Sequence, residues 1–144
     1  MNLRTIAAAV ALTGFAGLAV AADKPAAKTA GEYYIQYREG LAKAKTKEDL
    51  VPYVPEESRA EMMKASDKEF QEGLKMIQLM MGGITNVKVV KETPAGKDAF
   101  KLDVTGTDES KTAGTGTVEV TKTAAGWKKG KETWKFGSST QTFN

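Results

Sequence analysis

The sequence predicts an α+β domain in which N-terminal helices pack on one face of a four-stranded antiparallel sheet. Apolar side chains recur at helical spacing between residues 32 and 81. From residue 84 to residue 136 the chain is instead rich in β-branched residues and alternates between apolar and polar positions. Short turns that contain glycine or proline separate these β segments, which favours antiparallel neighbours.

The first helix is predicted over residues 32–45, because an apolar stripe recurs there at steps of four, four and three residues. The stripe consists of Tyr33, Tyr37, Leu41 and Ala44. Thr46 follows, with Asp49 three positions later, which is a variant of the capping box that begins a helix. Pro52 and Pro55 are expected to end this short second element, because proline does not continue a helix.

A longer helical segment is predicted over residues 56–81, with Gly82 as its end signal. Its apolar stripe consists of Met63, Phe70, Leu74, Ile77 and Met81. Ser66 and Glu69 have the spacing of a second capping box. A kink or break is therefore expected near Ala65.

Four strands are predicted, at residues 84–92, 99–105, 112–123 and 127–136. Gly114 and Gly116 suggest a bend or bulge in the third strand, and Gly130 suggests a bulge that resets the phase of the fourth. The remaining residues, 137–144, are expected to form a polar, frayed tail.

The start of the chain has the pattern of a secretory signal peptide. Arg4 is followed by an apolar stretch rich in alanine, and small residues at 19–21 have the A-x-A form of a cleavage site. We expect residues 1–21 to be removed, residues 22–31 to form a flexible leader and residues 32–136 to form one domain. The stretch contains too much Ala, Gly and Thr for a membrane-spanning helix. The protein is therefore expected to be exported, to the periplasm or outside the cell.

Composition restricts the chemistry. The chain contains no cysteine and no histidine, which excludes disulfides, thiolate nucleophiles and the commonest metal ligand and general base. Its formal net charge is only +3, without the concentrated basic region that is typical of nucleic-acid binding. No cofactor or metal is implied, and no later apolar run predicts a membrane span. The expected partner is a small molecule or another protein.

The fold pattern and two short motifs resemble the nuclear-transport-factor-2-like, cystatin-like superfamily. The motifs are Gly126-Trp127-Lys128-Lys129 near the end of the sheet and the corner at residues 47–53. The resemblance covers about residues 31–136 and implies a helix-on-sheet fold. Many members have a strand pair between the helices that helps to form a conical pocket, and this chain has no room for it. Members include enzymes and binding modules.

Three residues are candidates for acid–base chemistry: Glu132, Asp98 and Tyr34. Glu132 shares the strand phase of Trp134, so its carboxylate is expected near the core, where burial would favour acid or base catalysis. The alternative is a strand acid paired with a nearby lysine such as Lys128 or Lys131. Asp98 begins a strand and could form a carboxylate pair with Glu132, or simply bond the backbone of its turn.

Aromatic and sulfur-containing side chains are the candidates for ligand binding. The predicted ligand-binding residues are Tyr33, Tyr37, Met76, Met80 and Trp134. The alternative is that the aromatic residues fill the core and that the methionines form a flexible core or an apolar surface. Copper binding by the methionines is a third hypothesis, because thioethers are soft ligands.

Lysines are frequent in the last two predicted strands. They are Lys122, Lys128, Lys129, Lys131 and Lys135. They indicate either contact with anionic headgroups, glycans or cell-wall polymers, or a solvated sheet whose edge is protected by charge.

The sequence as a whole favours a non-catalytic ligand- or partner-binding module. The alternative is an isomerase- or dehydratase-like enzyme that uses a carboxylate and a tyrosine.

Overall fold

The helices precede the strands along the chain, as the sequence predicts. The structure is a computed structural model that describes residues 26–144, so the predicted signal peptide lies outside the described residues. The helices are α1 (Ala30–Lys43), α2 (Lys47–Leu50), α3 (Glu56–Lys64) and α4 (Asp67–Gly82). The strands are β1 (Thr85–Pro94), β2 (Ala99–Thr107), β3 (Ala113–Thr123), β4 (Gly126–Phe136) and β5 (Ser139–Phe143).

The sheet is antiparallel and has the order β1-β2-β3-β4-β5. The prediction of an α+β fold is confirmed, but the predicted number of strands and the frayed tail are wrong. Gly137 has a φ of 58°, which permits a tight turn between β4 and β5. Phe143 then packs against the core. The prediction of a frayed tail failed because it considered only the polar composition of residues 137–144, which does not reveal this long-range contact.

Helix α1 lies across the inner face of the sheet, and α2 and α4 pack against α1. Its first turn is held by Glu92 on β1, whose carboxylate accepts hydrogen bonds from the backbone N–H of Gly31 at 3.0 Å and of Ala30 at 3.4 Å. An acid at this position also complements the positive end of the helix dipole. Helix α4 packs mainly against α1. No helix in the described part of the chain is both long and apolar enough to cross a bilayer.

Both predicted capping boxes are present, at Thr46 with Asp49 and at Ser66 with Glu69. The second one starts α4 after a break at Ala65, as predicted. The predicted stripe is wrong at two positions, and the change of helical phase at the break explains the first, Met63 on α3, whereas Ile77 lies on α4 together with the buried Phe70 and Leu74. Met63 and Ile77 are exposed, whereas Met62 and Met81 pack against the core between the helices.

The predicted bulge in β4 is confirmed. Val118 pairs with Glu132 and Val120 with Lys129, so Gly130 and Lys131 together lie opposite the single residue Glu119 of β3. We call this the β4 bulge.

Gly114 and Gly116 have a different role from the predicted bend or bulge. Their pairing with β2 is regular, and they leave space for the rings of Phe136 and Trp134. These rings stack at 5.7 Å in the core between α1 and the sheet.

Candidate functional site

A carboxylate is buried between the helices and the sheet. Glu132 is 3% exposed. Its Oε1 accepts hydrogen bonds from the Tyr34 hydroxyl at 2.6 Å, the Trp134 indole N–H at 2.7 Å and an Arg38 guanidinium N–H at 3.2 Å. A buried charge is tolerated when it is paired and hydrogen-bonded in this way. We call Glu132, Tyr34, Arg38, Lys129 and Trp134 the Glu132 cluster.

The β4 bulge brings Lys129 into this cluster. In a regular strand, residues three positions apart point to opposite faces. The extra residue of the bulge puts Lys129 on the inner face with Glu132, so that its Nζ lies 3.6 Å from Oε2. Nζ also donates to the carbonyl oxygen of Gly130 at 2.9 Å. The carboxylate is therefore paired on both oxygens.

Arg38 connects this carboxylate to the helical layer. It lies one turn after Tyr34 on α1, and its second guanidinium nitrogen donates to the carbonyl oxygens of Met81 and Ile84, both at 2.9 Å. These carbonyls lie at the end of α4 and just before β1. The cluster therefore ties α1, the α4–β1 connection and β4 together, and it places two cations around one anion.

Burial and the Glu132 carboxylate change the ionisation of two cluster members, Tyr34 and Lys129, and of the neighbouring Tyr37. Burial raises the pKa of the Tyr34 phenol well above its ordinary value, and the Glu132 carboxylate raises it further. The pKa of Tyr37 is raised by the same two causes in the same order. Burial lowers the pKa of Lys129, and the attraction of Glu132 partly offsets that effect.

These shifts predict a cooperative unfolding in alkali. Because the pKa values of Tyr34 and Tyr37 are raised by folding, the folded state keeps protons that the unfolded chain releases. Stability therefore falls above about pH 10, at a rate that approaches about 2.7 kcal/mol per pH unit for these two phenols, and Tyr33, whose pKa is also raised by burial, acts in the same direction. Lys129, whose pKa is lowered, acts in the opposite direction, but only up to about pH 10.5.

Absorbance at 295 nm and far-ultraviolet circular dichroism test this prediction. We expect the ionisation of Tyr34 and Tyr37 to coincide with the loss of ellipticity. Tyr37→Phe should move that step to higher pH. Ionisation of all four tyrosines near pH 10 with ellipticity intact would contradict the prediction.

The structure brings two of the three candidate catalytic residues together. Tyr34 and Glu132 are hydrogen-bonded, and Glu132 has the predicted strand phase. Asp98 is exposed in the β1–β2 turn, where its carbonyl oxygen accepts from the Lys122 backbone N–H at 2.7 Å. Asp98 and Glu132 therefore do not form a carboxylate pair, and the proposed bond of the Asp98 side chain to the backbone of its own turn stays a prediction.

Sequence reasoning missed the partners of the carboxylate. It proposed Lys128 or Lys131, whereas the ion pairs are with Lys129 and Arg38. If the extra residue of the predicted bulge at Gly130 is counted, the strand alternation places Lys129 on the same face as Glu132, so this signal could have identified Lys129. Arg38 had one signal, its spacing of four residues from Tyr34 on the same helix.

A separate cleft opens between the helical corner and the β3–β4 hairpin. It has a volume of about 1050 Å³, and we call it the corner cleft. Its aromatic wall consists of Tyr33, Tyr53 and Trp127. Charged side chains line it as well, including Lys43, Glu48, Glu56 and Arg59.

Local packing holds this wall in place. The Tyr53 ring lies directly over Gly40, where a Cβ would collide with it, and meets the Tyr37 ring edge-on at 6.1 Å. The Trp127 indole N–H donates to the carbonyl oxygen of Ala27 at 3.0 Å, and the Trp127 ring stacks on the Tyr33 ring at a centroid distance of 6.3 Å.

An ion pair lies at the rim of the corner cleft. Lys128 and Glu57 are 2.5 Å apart there, and this contact joins β4 to α3.

The predicted ligand-binding residues do not form one site. Tyr33 lines the corner cleft, and Tyr37 lies behind Tyr53 in the packed layer. Trp134 is 0% exposed, so its assignment to a binding surface is wrong: the glycines of β3 make room for its ring inside the core. Met76 and Met80 are exposed on α4 and are not part of the cleft lining.

One polar atom in the cleft wall is unusual. The Tyr33 hydroxyl is buried and, within residues 26–144, has no hydrogen-bond partner. The Lys129 backbone N–H lies close enough to influence the pKa of Tyr33 but outside hydrogen-bond geometry. Within the same residues, no group of three or more acidic side chains converges as a metal site would require.

Comparison with known proteins found no matching family model, no similar curated protein and no similar solved structure.

Proposed function

We propose that this chain is an exported, non-catalytic binding protein that holds a small amphipathic molecule in the corner cleft. The cleft itself carries the proposal: about 1050 Å³ with an aromatic wall and charged groups of both signs. Ligand sites in proteins are concave, largely apolar and equipped with a few polar groups that orient the ligand.

The Glu132 cluster favours a structural role over catalysis. The Oε1 of Glu132 accepts hydrogen bonds and its Oε2 forms an ion pair with Lys129, and the carboxylate lines neither the corner cleft nor the two shallower clefts of about 600 and 770 Å³. A catalytic acid or base must reach the proton that it transfers.

An isomerase- or dehydratase-like activity, of the kind that the nuclear-transport-factor-2-like resemblance implies, is the second candidate. One observation favours it, the 2.6 Å hydrogen bond between Tyr34 and Glu132. A carboxylate and a tyrosine can together move a proton. The stability of Glu132 variants separates the two roles, as described in the Discussion.

The dye 1-anilinonaphthalene-8-sulfonate is a suitable probe for the corner cleft, because it joins an apolar aromatic body to one charged group. We expect it to bind the folded protein and to shift the indole N–H signal of Trp127 in ¹H–¹⁵N spectra. The indole signal of Trp134, which is fully buried, is the internal control and should not move. Tyr53→Ala removes one wall of the cleft and should weaken binding about tenfold.

A matched variant tests where the dye binds. Met76→Ser with Met80→Ser makes the exposed face of α4 polar and leaves the corner cleft unchanged. We expect full dye affinity in this variant. Binding that survives Tyr53→Ala but is lost in the methionine variant would move the site to α4, and a protein that does not bind the dye would contradict the proposal.

A further inference from the structure

The outer face of the sheet, opposite α1, is uncovered and basic. Strand alternation and register place five exposed lysines on it, with acids at only two positions, Asp103 and Glu119. The lysines are Lys88, Lys91, Lys101, Lys131 and Lys135. Of the lysines that the sequence singled out, Lys129 is instead buried, Lys122 lies over the Trp127 ring and Lys128 is paired with Glu57.

The charge of this face is only partly neutralised, because Lys91 lies opposite Asp103 and Lys101 opposite Glu119, whereas Lys88 and Lys135 have no acid across the sheet. None of the five lysines forms an ion pair or a side-chain hydrogen bond within the described residues. Five lysines against two acids give the face a net charge of +3, which equals the formal net charge of the entire chain. In the exported form, which is expected to lack Arg4, 20 basic and 18 acidic residues give a net charge of +2, so the remainder carries a net charge of −1 and this face is the positive side of the protein.

The lysines lie close enough to act together. Neighbouring strands are about 4.8 Å apart and alternate residues about 7 Å apart. On that spacing the five lysines, which span β1 to β4, occupy an area of about 15 by 15 Å. This width is about twice the Debye length of about 8 Å at physiological ionic strength, so the fields of adjacent lysines overlap, whereas those of lysines at opposite ends of the area are screened from each other.

A shallow depression lies within the face. It has a volume of about 600 Å³, and Lys88 and Lys135 lie on either side of it. Thr105 and Thr115, which pair with each other across β2 and β3, line it between the two lysines. Two ammonium groups and two hydroxyl donors suit a phosphate-bearing group of headgroup size.

We propose that the outer sheet face docks on an anionic phospholipid membrane, with a lipid phosphate in the Lys88–Lys135 depression. All five cations are lysines, which act as point charges and suit a fluid anionic surface better than the fixed geometry that arginine recognises. The face has no aromatic residue, whereas protein interfaces are enriched in aromatic residues and arginine. This proposal is independent of the corner cleft.

Cosedimentation with lipid vesicles tests the proposal. The protein is purified from the exported fraction and mixed with vesicles of phosphatidylglycerol and phosphatidylcholine, or of phosphatidylcholine alone. We expect binding only to the anionic vesicles, and loss of that binding between about 50 mM and about 500 mM salt. Lys88→Gln, Lys101→Gln and Lys135→Gln together should weaken binding about 100-fold, at about fivefold per lysine.

The matched control removes the same charge from the helical side. Lys45, Lys64 and Lys75 are exposed there and unpaired among the described residues. Their replacement by glutamine should weaken binding by much less than the face variant does. Because both variants keep the same N-terminus, any contribution of the N-terminus to vesicle binding cancels when the two variants are compared.

Three outcomes would overturn the proposal. Equal losses in the two variants would show that only net charge matters. Binding to phosphatidylcholine alone would show that apolar contacts dominate. Tight binding of inorganic phosphate or heparin without vesicle binding would assign the face to a soluble anion or a polyanionic chain instead of a membrane.

Discussion

Replacing Glu132 with alanine is expected to lower the free energy of unfolding by about 3–5 kcal/mol. The substitution removes the only anion of the Glu132 cluster, so the buried cations of Arg38 and Lys129 lose their counter-charge. The donors of Tyr34 and Trp134 also lose their acceptor. Urea unfolding followed by circular dichroism measures the change, with the slope of the transition checked for two-state behaviour.

Two further variants sharpen this test. Glu119→Ala removes an exposed acid opposite the β4 bulge and should change stability by less than about 0.5 kcal/mol. Glu132→Gln keeps an acceptor for Tyr34 but loses the charge, so we expect an intermediate loss. If Glu132→Gln were as stable as the unmodified protein or more so, the cluster would not be structural. That result would instead favour the acid–base alternative, because functional groups are commonly held at a cost in stability.

Two glycine-to-alanine substitutions are expected to have opposite effects. A Cβ at Gly116 would lie 2.9 Å from the Thr133 carbonyl oxygen, from Cδ2 of Trp134 and from Cγ2 of Val104. Because all three atoms belong to a packed core, we expect Gly116→Ala to destabilise the protein by about 1–3 kcal/mol. Gly73 on α4 has open space around its Cβ position, so Gly73→Ala should stabilise by about 0.5–1 kcal/mol.

Thermal unfolding of the two variants checks the prediction in a single experiment. The same chemical change is made in each, so their difference reports on the surroundings of the glycine. Similar transition temperatures for both variants would contradict the prediction, because they would show that the Trp134 ring does not need the space that the absence of a Cβ at Gly116 leaves.

The helical caps and the β4 bulge were predictable because their signals are local. A capping box needs only the residues from Ser66 to Glu69, and a bulge at Gly130 follows from its disruption of strand alternation. Helical phase was less predictable. The stripe drawn through Met63 failed because the break at Ala65 rotates the residues on either side of it relative to each other.

The missed elements depend on contacts between distant parts of the chain. Strand β5 is polar and short, and it forms because Phe143 reaches the core beside β4. Arg38 is held in the cluster by its hydrogen bond to the carbonyl oxygen of Met81 at the end of α4, which is 43 residues away along the chain. The corner cleft combines residue 26 with residue 128, a combination that no sequence pattern contains.

The order of helices and strands, the caps, the bulge and the inward phase of Glu132 could therefore be predicted from local sequence patterns. Each follows from backbone geometry and periodicity over a few residues. The packing of the folded chain was needed to show that Glu132 is neutralised by Arg38 and Lys129, that Trp134 is buried in the core and that five unpaired lysines lie together on the outer sheet face. Those properties arise from distances between residues that are far apart along the chain, which local patterns do not encode.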